Sequence, residues 1–231
     1  MRWIITIAVS LFAGFSGAAL FALTGLADMQ TRSYLLANPE VLPEAMDELQ
    51  RRDMQERIAP VRAELETAFP GAVLGNPNGT VTLVEFTDYA CTYCRQSVAD
   101  VAALIAANPD LKVVIREYPI LAPESADAAR MALAAAQQGK FAVFHDAMFA
   151  AGQVTSATIE ASAISAGVDL AAARAAIASG RFEAQLQNNV FMAQNLGLTG
   201  TPSWIVGDRA LNGAVGAEAI GRAIASAREA G

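Results

Sequence analysis

The chain holds two cysteines, Cys91 and Cys94, which stand three residues apart directly after an apolar run. That run, Thr80–Asp88, places apolar side chains on both faces, which is typical of a central strand covered on both sides. An apolar helical stripe follows and leads to a second strand-like segment, Leu111–Ile120. Strand, cysteine turn, helix and strand make a βαβ unit, so we predict two parallel strands joined by a right-handed crossover.

The chain changes character twice after this unit. From about residue 121 to residue 198 it is predicted to be almost entirely helical, with four or five short helices separated at glycines. Strand character returns at Pro202–Asp208 and Ala210–Gly216, and a last helix is predicted over Ala217–Ala230. The sequence therefore predicts an α/β fold with an all-helical insertion.

Residues 1–27 form a segment of a different kind. Arg2 is the one early charge, and the next charged residue is Asp28. This pattern predicts an export segment, either a signal peptide cut before Asp28 or a membrane anchor retained over residues 3–26. A buried core helix is the remaining interpretation. Export by either route would place the rest of the chain in an oxidising compartment, the periplasm.

Residues 28–70 are rich in charge and lack strand-like runs. We predict two short amphipathic helices there, with a break at Pro60. Their apolar stripes are Leu42, Met46 and Leu49 in the first helix, and Ile58, Val61 and Leu65 in the second. The stripes either pack on the chain's own domain or bury against copies of the same chain. The second alternative predicts an oligomerisation arm over residues 34–69.

The C-x-x-C spacing allows two main chemistries. A zinc site needs two further ligands, and the chain offers one histidine, His145, and no third cysteine. In a redox pair, Cys91 would lie exposed at the start of the helix, where free N–H groups stabilise a thiolate, and Cys94 would be partly covered one turn later. The redox interpretation is favoured over zinc, over a structural disulfide and over idle thiols. A soft ion such as Cu(I), held by the same two sulfurs, is a rival.

Four features together resemble the thioredoxin superfamily and, within it, the DsbA-like exported thiol–disulfide oxidoreductases. They are VEFTDYACTYC after a strand, the helical insertion, TGTPSWIVG near the end, and the export segment. The resemblance implies a thioredoxin-like fold over residues 71–231, with the insertion inside it and residues 28–70 as an N-terminal helical extension. That extension, with its NPEVL segment, further resembles the copper-sensitivity-suppressor type, some of which form oligomers through such an arm.

The resemblance also implies roles for particular residues. Cys91 would attack and Cys94 would resolve the mixed disulfide, with no metal and no diffusible cofactor. Thr201 and Pro202 would form the cis-proline loop that faces the sulfurs and pairs with a client chain, strand-fashion. A simple turn at Pro202 is the alternative. Thr92 and Tyr93, between the cysteines, would tune the redox potential and contact clients.

Glu85 alternates with apolar residues of its strand, so its carboxyl is predicted to point into an apolar layer, where burial raises its pKa. It also stands where the superfamily carries a buried acid, and we interpret it as a candidate proton relay to Cys94. The alternative is an acid at a strand edge that reaches water or Lys112. His145, flanked by phenylalanines, is predicted to be a structural histidine.

The expected partners are cysteine-containing exported proteins, a membrane redox partner and other copies of this chain. The net charge of −7 argues against nucleic acid as a partner, because binding to phosphates needs a basic surface. The direction of exchange stays open at this point between oxidase, isomerase and reductase. A non-catalytic adaptor, in which the arm acts alone, is a further rival.

Overall fold

The computed structural model describes residues 2–23 and 26–230. Contacts divide the chain into two compact units, Met1–Gln50 and Arg51–Gly231. The boundary lies inside a helix, so the later part of the predicted arm is counted with the second unit. Gly25, in the predicted cleavage site, and Gly231 lie outside the described residues.

The first unit is helical. Its helices are α1 Arg2–Leu23, α2 Leu26–Ala37 and the beginning of α3, Val41–Ile58. None of the helices in the described part of the chain meets the length and apolarity needed to span a bilayer. The first predicted stripe, Leu42, Met46 and Leu49, lies on α3 with each side chain more than half exposed.

The second unit begins with the end of α3 and the predicted break. Helix α3 ends at Ile58, Pro60 lies in the following turn, and α4 covers four residues, Arg62–Leu65. The second predicted helix is therefore much shorter than its apolar stripe suggested. Ile58 and Leu65 are fully buried, so this stripe packs on its own domain.

Within residues 51–230, five strands form one sheet in the order β1-β3-β2-β4-β5. The strands are β1 Val73–Gly75, β2 Val81–Thr87, β3 Leu111–Glu117, β4 Ser203–Val206 and β5 Arg209–Asn212. Strands β2 and β3 are parallel, as predicted, and the other pairs are antiparallel. Strand β1 was not predicted, because a half-buried edge strand of three residues has no measurable period.

Helices cover the sheet on both sides. The crossover helix is α5 Thr92–Ala107, and α11 Gly216–Ala230 closes the chain. Between residues 121 and 198, all of which are described, the helices are α6 Ser125–Gln137, α7 Phe141–Ala151, α8 Ser156–Ser165, α9 Leu170–Ala178 and α10 Glu183–Asn195. The all-helical insertion predicted from the sequence is confirmed.

The two central strands, β2 and β3, present two faces that differ in the charge they bury. Because the strands are parallel and in register, Glu85 pairs with Ile115 and Thr87 with Glu117, and all four side chains share one face, here called the acidic face. Phe86 pairs with Arg116 on the opposite face, here called the arginine face. The acidic face packs on the larger apolar core, which contains both cysteines, and the arginine face packs on the smaller one.

Candidate active site

The two cysteines lie at the start of α5. Cys91 is its N-cap residue, in an extended conformation, and its Sγ accepts a hydrogen bond of 3.2 Å from the backbone N–H of Cys94. The Cys91 thiol in turn donates to the carbonyl oxygen of Thr201, also at 3.2 Å. The leading sulfur therefore lies at the free N–H groups of a helix, the position that the sequence predicts for it.

Several donors stabilise the ionised form of Cys91. The thiol of Cys94 has the largest effect, and the backbone N–H groups of Cys94 and Tyr93 add to it. Together they outweigh burial and lower the pKa of Cys91 to about 6. At neutral pH, this sulfur is therefore mostly a thiolate, the form that attacks disulfides.

The burial of Cys91 differs from the prediction. The residue is 3% exposed, although the sequence placed it on the surface. The Thr201–Pro202 loop, which is distant in sequence, contacts its sulfur. A contact of such long range leaves no local signal around the cysteine motif.

The pKa of Cys94 is shifted in the opposite direction to that of Cys91. It is 1% exposed, so it is fully buried and not partly covered as predicted. Burial raises its pKa far above the usual range, and its hydrogen bond to Cys91 acts in the same direction. Cys91 is thus the sulfur that can attack, and Cys94 holds its proton until a base accepts it.

The predicted client-binding residues surround the leading sulfur. The Thr201–Pro202 peptide is cis and Pro202 is buried. Oγ1 of Thr201 is buried and has no hydrogen-bond partner among the described residues. Thr92 is exposed, and Tyr93 is 62% exposed beside the buried pair. Contact with a client remains a prediction for all four residues.

Glu85 lies on the acidic face behind the cysteines. It is 3% exposed, and burial raises its pKa to about 8, with Cys91 adding to the rise and the Thr87 hydroxyl opposing it. The alternative of a strand-edge acid is wrong, because β2 is the central strand of the sheet and the ammonium of Lys112 donates to the carbonyl oxygen of Glu66. The relay role itself remains a prediction.

The hydroxyl of Thr87 affects both Glu85 and Cys94. Its hydroxyl lowers the pKa of both groups. Oγ1 of Thr87 is nevertheless buried without a hydrogen bond of normal geometry to any described residue.

Sequence reasoning missed a second buried acid on the same face, Glu117. The hydroxyl of Tyr89 donates to Oε1 of Glu117 at 3.1 Å and lies 3.3 Å from Nδ1 of His145. Oε2 of Glu117 has no partner in the described structure, and burial raises the pKa of this carboxyl well above its usual range. The signal was available, since Glu117 continues the alternation of Val113 and Ile115.

His145 is structural, as predicted from its neighbours. It is 2% exposed, and its ring packs against those of Phe141, Phe149 and Tyr89. Burial lowers its pKa to about 4, so it is neutral near pH 7. No cluster of three or more metal-ligating side chains is present in residues 2–23 and 26–230.

Asp88 was also not predicted to have a positioning role. Its Oδ2 accepts hydrogen bonds from the backbone N–H groups of Ile120 and Leu121, at 2.8 and 2.9 Å, and its Oδ1 accepts one from Ala90. The backbone N–H of Cys91 donates to the Asp88 carbonyl at 2.9 Å. Asp88 therefore fixes Ile120 and Leu121, two exposed residues here called the apolar lip, beside the cysteine turn.

A thioredoxin-like sheet with a low-pKa cysteine at a helix N-cap, a buried partner thiol and a cis-proline loop defines a thiol–disulfide oxidoreductase. The chain belongs to the thioredoxin family, because the family model described as thioredoxin matches residues 67–226. Residues 31–56 also match the model of the copper resistance protein ScsC N-terminal domain.

Solved structures agree with this class. A thioredoxin-like oxidoreductase from Silicibacter pomeroyi DSS-3 is 40% identical, with a TM-score of 0.66, over 69% of this chain and 92% of that one. Proteus mirabilis ScsC in a transitional conformation is 25% identical, with a TM-score of 0.69, over 91% and 99% of the two chains.

The curated relatives are longer. The Na(+)/H(+) antiporter NhaA 1 of Salinispora arenicola is 31% identical over 158 residues, which is 67% of this chain and 24% of the antiporter. This chain therefore spans about a quarter of the length of the curated relatives that it matches.

Proposed function

We propose that this chain is an exported enzyme that exchanges disulfides with the cysteines of other proteins, as an oxidase or an isomerase. The observation that carries the proposal is the opposite shift of the two thiols. The pKa of Cys91 is lowered to about 6, while burial raises that of Cys94. One sulfur is thus ready to attack or to leave, and the other keeps its proton.

The exchange proceeds through a mixed disulfide. The Cys91 thiolate attacks a client disulfide, forming a bond between Cys91 and one client sulfur while the other client sulfur leaves as a thiolate. Cys94 then gives its proton to the Glu85 carboxylate and attacks Cys91, which releases the client as a thiolate and leaves a Cys91–Cys94 disulfide. The reverse sequence transfers that disulfide to a reduced client. Neither direction requires a metal or a diffusible cofactor.

Clients dock on the surface around Cys91. Tyr93 and the apolar lip offer exposed apolar contacts for unfolded chains, and the backbone at Thr201 offers strand-like pairing. The uncharged N-terminal run supports export to the periplasm. A membrane redox partner then resets the cysteine pair and sets the direction of exchange.

The decisive experiment measures the reduction potential of the cysteine pair and then the refolding of a scrambled disulfide substrate. A potential toward the oxidising end of the range of about −270 to −120 mV, with weak shuffling, indicates an oxidase. Efficient shuffling indicates an isomerase. A protein that neither oxidises nor shuffles disulfides contradicts the proposal.

The arm is proposed to assemble copies of this chain. Leu42, Met46 and Leu49 form an apolar stripe on α3 that is more than half exposed, and this stripe lies inside the segment matched by the ScsC N-terminal domain. Deleting residues 34–69 would also remove Ile58 and Leu65 from the core, so substitution is the cleaner test.

The triple variant Leu42→Glu, Met46→Glu and Leu49→Glu should reduce the mass in solution to that of a monomer. The matched control replaces Val143, Ile164 and Phe191, three exposed apolar residues of the second unit, with Glu. The arm hypothesis is rejected if the wild-type protein already has the mass of a monomer.

A Cu(I)-binding protein is the second candidate. The match of residues 31–56 to a domain of a copper resistance protein favours it, together with two unbridged thiols that suit a soft ion. Titration of the reduced protein with Cu(I) tests it. Tight binding that Cys91→Ser abolishes, combined with no exchange activity, would replace the first proposal.

A further inference from the structure

A cavity of about 350 Å³ opens between β1, α5 and α7, next to the acidic face. The buried side chains of Glu85 and His145 line its inner end, and the exposed residues Ala102, Ala142 and Asp146 line its mouth. Its volume is far larger than the space that a single water needs. Neither cysteine lines it, so the cavity joins Glu85 to solvent without passing the surface on which clients dock.

The site needs such a passage for protons. Cys94 and Glu85 are 1% and 3% exposed, and the Thr201–Pro202 loop covers Cys91 from the client side. A client held in the mixed disulfide covers that side further. A proton released by Cys94 to Glu85 must nevertheless reach water before the next turnover.

The surroundings of Glu85 also favour proton exchange over a fixed charge. The titratable groups that face it from the surrounding elements, or share its cavity, are Cys91 and Cys94 at the start of α5, Glu117 of β3, Tyr89, and His145 and Asp146 of α7. None of these is a cation near pH 7, since burial keeps His145 neutral. A carboxylate without a cation beside it is costly to bury, so Glu85 rests protonated near pH 7 and must release that proton to solvent before it accepts one from Cys94.

We propose that this cavity is the proton route between Glu85 and solvent, and that Asp146 at its mouth takes up and releases the protons. The proposal rests on the exchange function proposed above. When Cys94 resolves a mixed disulfide, its proton passes to the Glu85 carboxylate, then through water in the cavity to Asp146, and finally to bulk solvent. In the reverse direction, Asp146 supplies the proton that reaches the Cys94 thiolate through Glu85.

The test closes the mouth of the cavity and leaves the active site unchanged. Leucine is a good helix former, so Ala102→Leu combined with Ala142→Leu fills the mouth without disturbing the helices. The matched control is Ala103→Leu with Ala150→Leu, which adds the same side chains at exposed positions of the same helices outside the cavity. The rate of the resolving step is followed by rapid mixing from pH 6 to 9, together with the reduction potential.

A blocked route changes rates and leaves equilibria unchanged. We expect the cavity-filling variant to resolve the mixed disulfide about fivefold more slowly near pH 7, with an unchanged reduction potential and with the control at the wild-type rate. Equal rates in the filled variant and the control overturn the route. If Glu85→Gln slows the step while the filled variant does not, the relay stands and the route is wrong. A wild-type protein without exchange activity refutes the proposed function itself.

Asp146 provides an independent variant in case the filled protein folds poorly. Asp146→Asn should slow the resolving step about twofold and flatten its dependence on pH, and Asp146→Glu should restore both. A structural role at this exposed position would not change the pH profile. An unchanged profile in Asp146→Asn overturns the role of this residue.

Discussion

The acidic face and the arginine face of the same two strands bury charge in opposite ways. On the acidic face, Glu85 and Glu117 are buried near the cysteines, and Oε2 of Glu117 and Oγ1 of Thr87 lack partners among the described residues. On the arginine face, the guanidinium of Arg116 is 2% exposed and donates to Oδ1 of Asn189 and to three backbone carbonyls.

The two faces differ in whether their buried charged groups fix structure or exchange protons. The carbonyls that Arg116 binds belong to Glu64, Leu65 and Thr67, at and just after the end of α4, so the guanidinium supplies donors to carbonyl groups at a helix end. A guanidinium held by four acceptors fixes structure, even though its Nε has no partner among the described residues. Burial raises the pKa of Glu85 to about 8, so this carboxyl can exchange a proton near neutral pH. Variants should therefore separate activity on one face from stability on the other.

The largest effect should come from Cys91→Ser, in the cysteine pair beside the acidic face. Without the nucleophilic sulfur, exchange should fall by at least about a thousandfold. The free energy of unfolding of the reduced protein should change by less than about 1 kcal/mol, because a serine hydroxyl can still accept the Cys94 N–H bond. Exchange assays and urea unfolding measure the two quantities. Cys94→Ser is the matched control, and it should attack clients and stay trapped in the mixed disulfide.

The pH dependence of attack is the next largest effect. Since the pKa of Cys91 is lowered to about 6, the rate of attack should be constant above pH 7 and fall about tenfold per pH unit below 6. The absorbance of the thiolate should titrate with the same midpoint and vanish in Cys91→Ser. A midpoint close to 9, the pKa of an ordinary thiol, would mean that the surroundings of Cys91 beside the acidic face do not activate it.

Arg116→Met tests the arginine face. The change leaves buried carbonyl oxygens without a donor and should lower the free energy of unfolding by about 4 kcal/mol. The rate of exchange per folded molecule should stay within about twofold of wild type, because the residue faces away from the cysteines. Arg116→Lys keeps the charge and should recover part of the stability. A large loss of activity in folded Arg116→Met protein would mean that the two faces are coupled.

Glu85→Gln should reduce the exchange rate about tenfold near pH 7 while the fold persists. The free energy of unfolding of this variant should also depend less on pH than that of the wild type. The pKa of Glu85 is raised from 4.5 to about 8, so the folded state holds this proton more tightly than the unfolded chain does. That contribution is complete below pH 4.5 and is lost as the pH rises toward 8.

Glutamine does not ionise, so the Gln variant should be more stable than wild type at pH 8 by about 4 kcal/mol. Parallel denaturation curves at pH 5 and pH 8 measure the difference. Exchange rates equal to wild type across the whole pH range would reject the relay.

Tyr89→Phe should have the smallest effect. It removes the hydroxyl that donates to Glu117 and lies beside His145, which should cost about 1 kcal/mol of stability. Because that hydroxyl lowers the pKa of Glu117, the variant should also raise the pKa of this carboxyl further. Thermal unfolding and carboxyl titration by NMR measure these changes. A loss of stability as large as that of Arg116→Met would mean that Tyr89 fixes structure, as Arg116 does.

Local patterns predicted a large part of this fold. The apolar run before the cysteines, the helical stripe after them and the following strand gave β2, α5 and β3 in their parallel arrangement. The residues around Pro60 gave the break after α3. Periodicity reports which face of an element is apolar, so it also placed Glu85 in an apolar layer.

Distant contacts escaped the same reasoning. The loop at Thr201 covers Cys91, and Asp88 accepts from the N–H groups of Ile120 and Leu121, more than thirty residues away. Arg116 reaches back to carbonyls at the end of α4. A polar residue at a buried strand position signals a partner somewhere, and the sequence alone does not name that partner.

The sequence by itself determined the order of the elements and the helix start beneath the leading cysteine, because hydrophobic period and turn chemistry act over a few residues. Tertiary structure decided how deeply the two sulfurs are buried, which buried charges find partners and where a cavity reaches Glu85. Desolvation and hydrogen bonding set the pKa values of those groups, and both depend on chain segments that meet only when the protein folds.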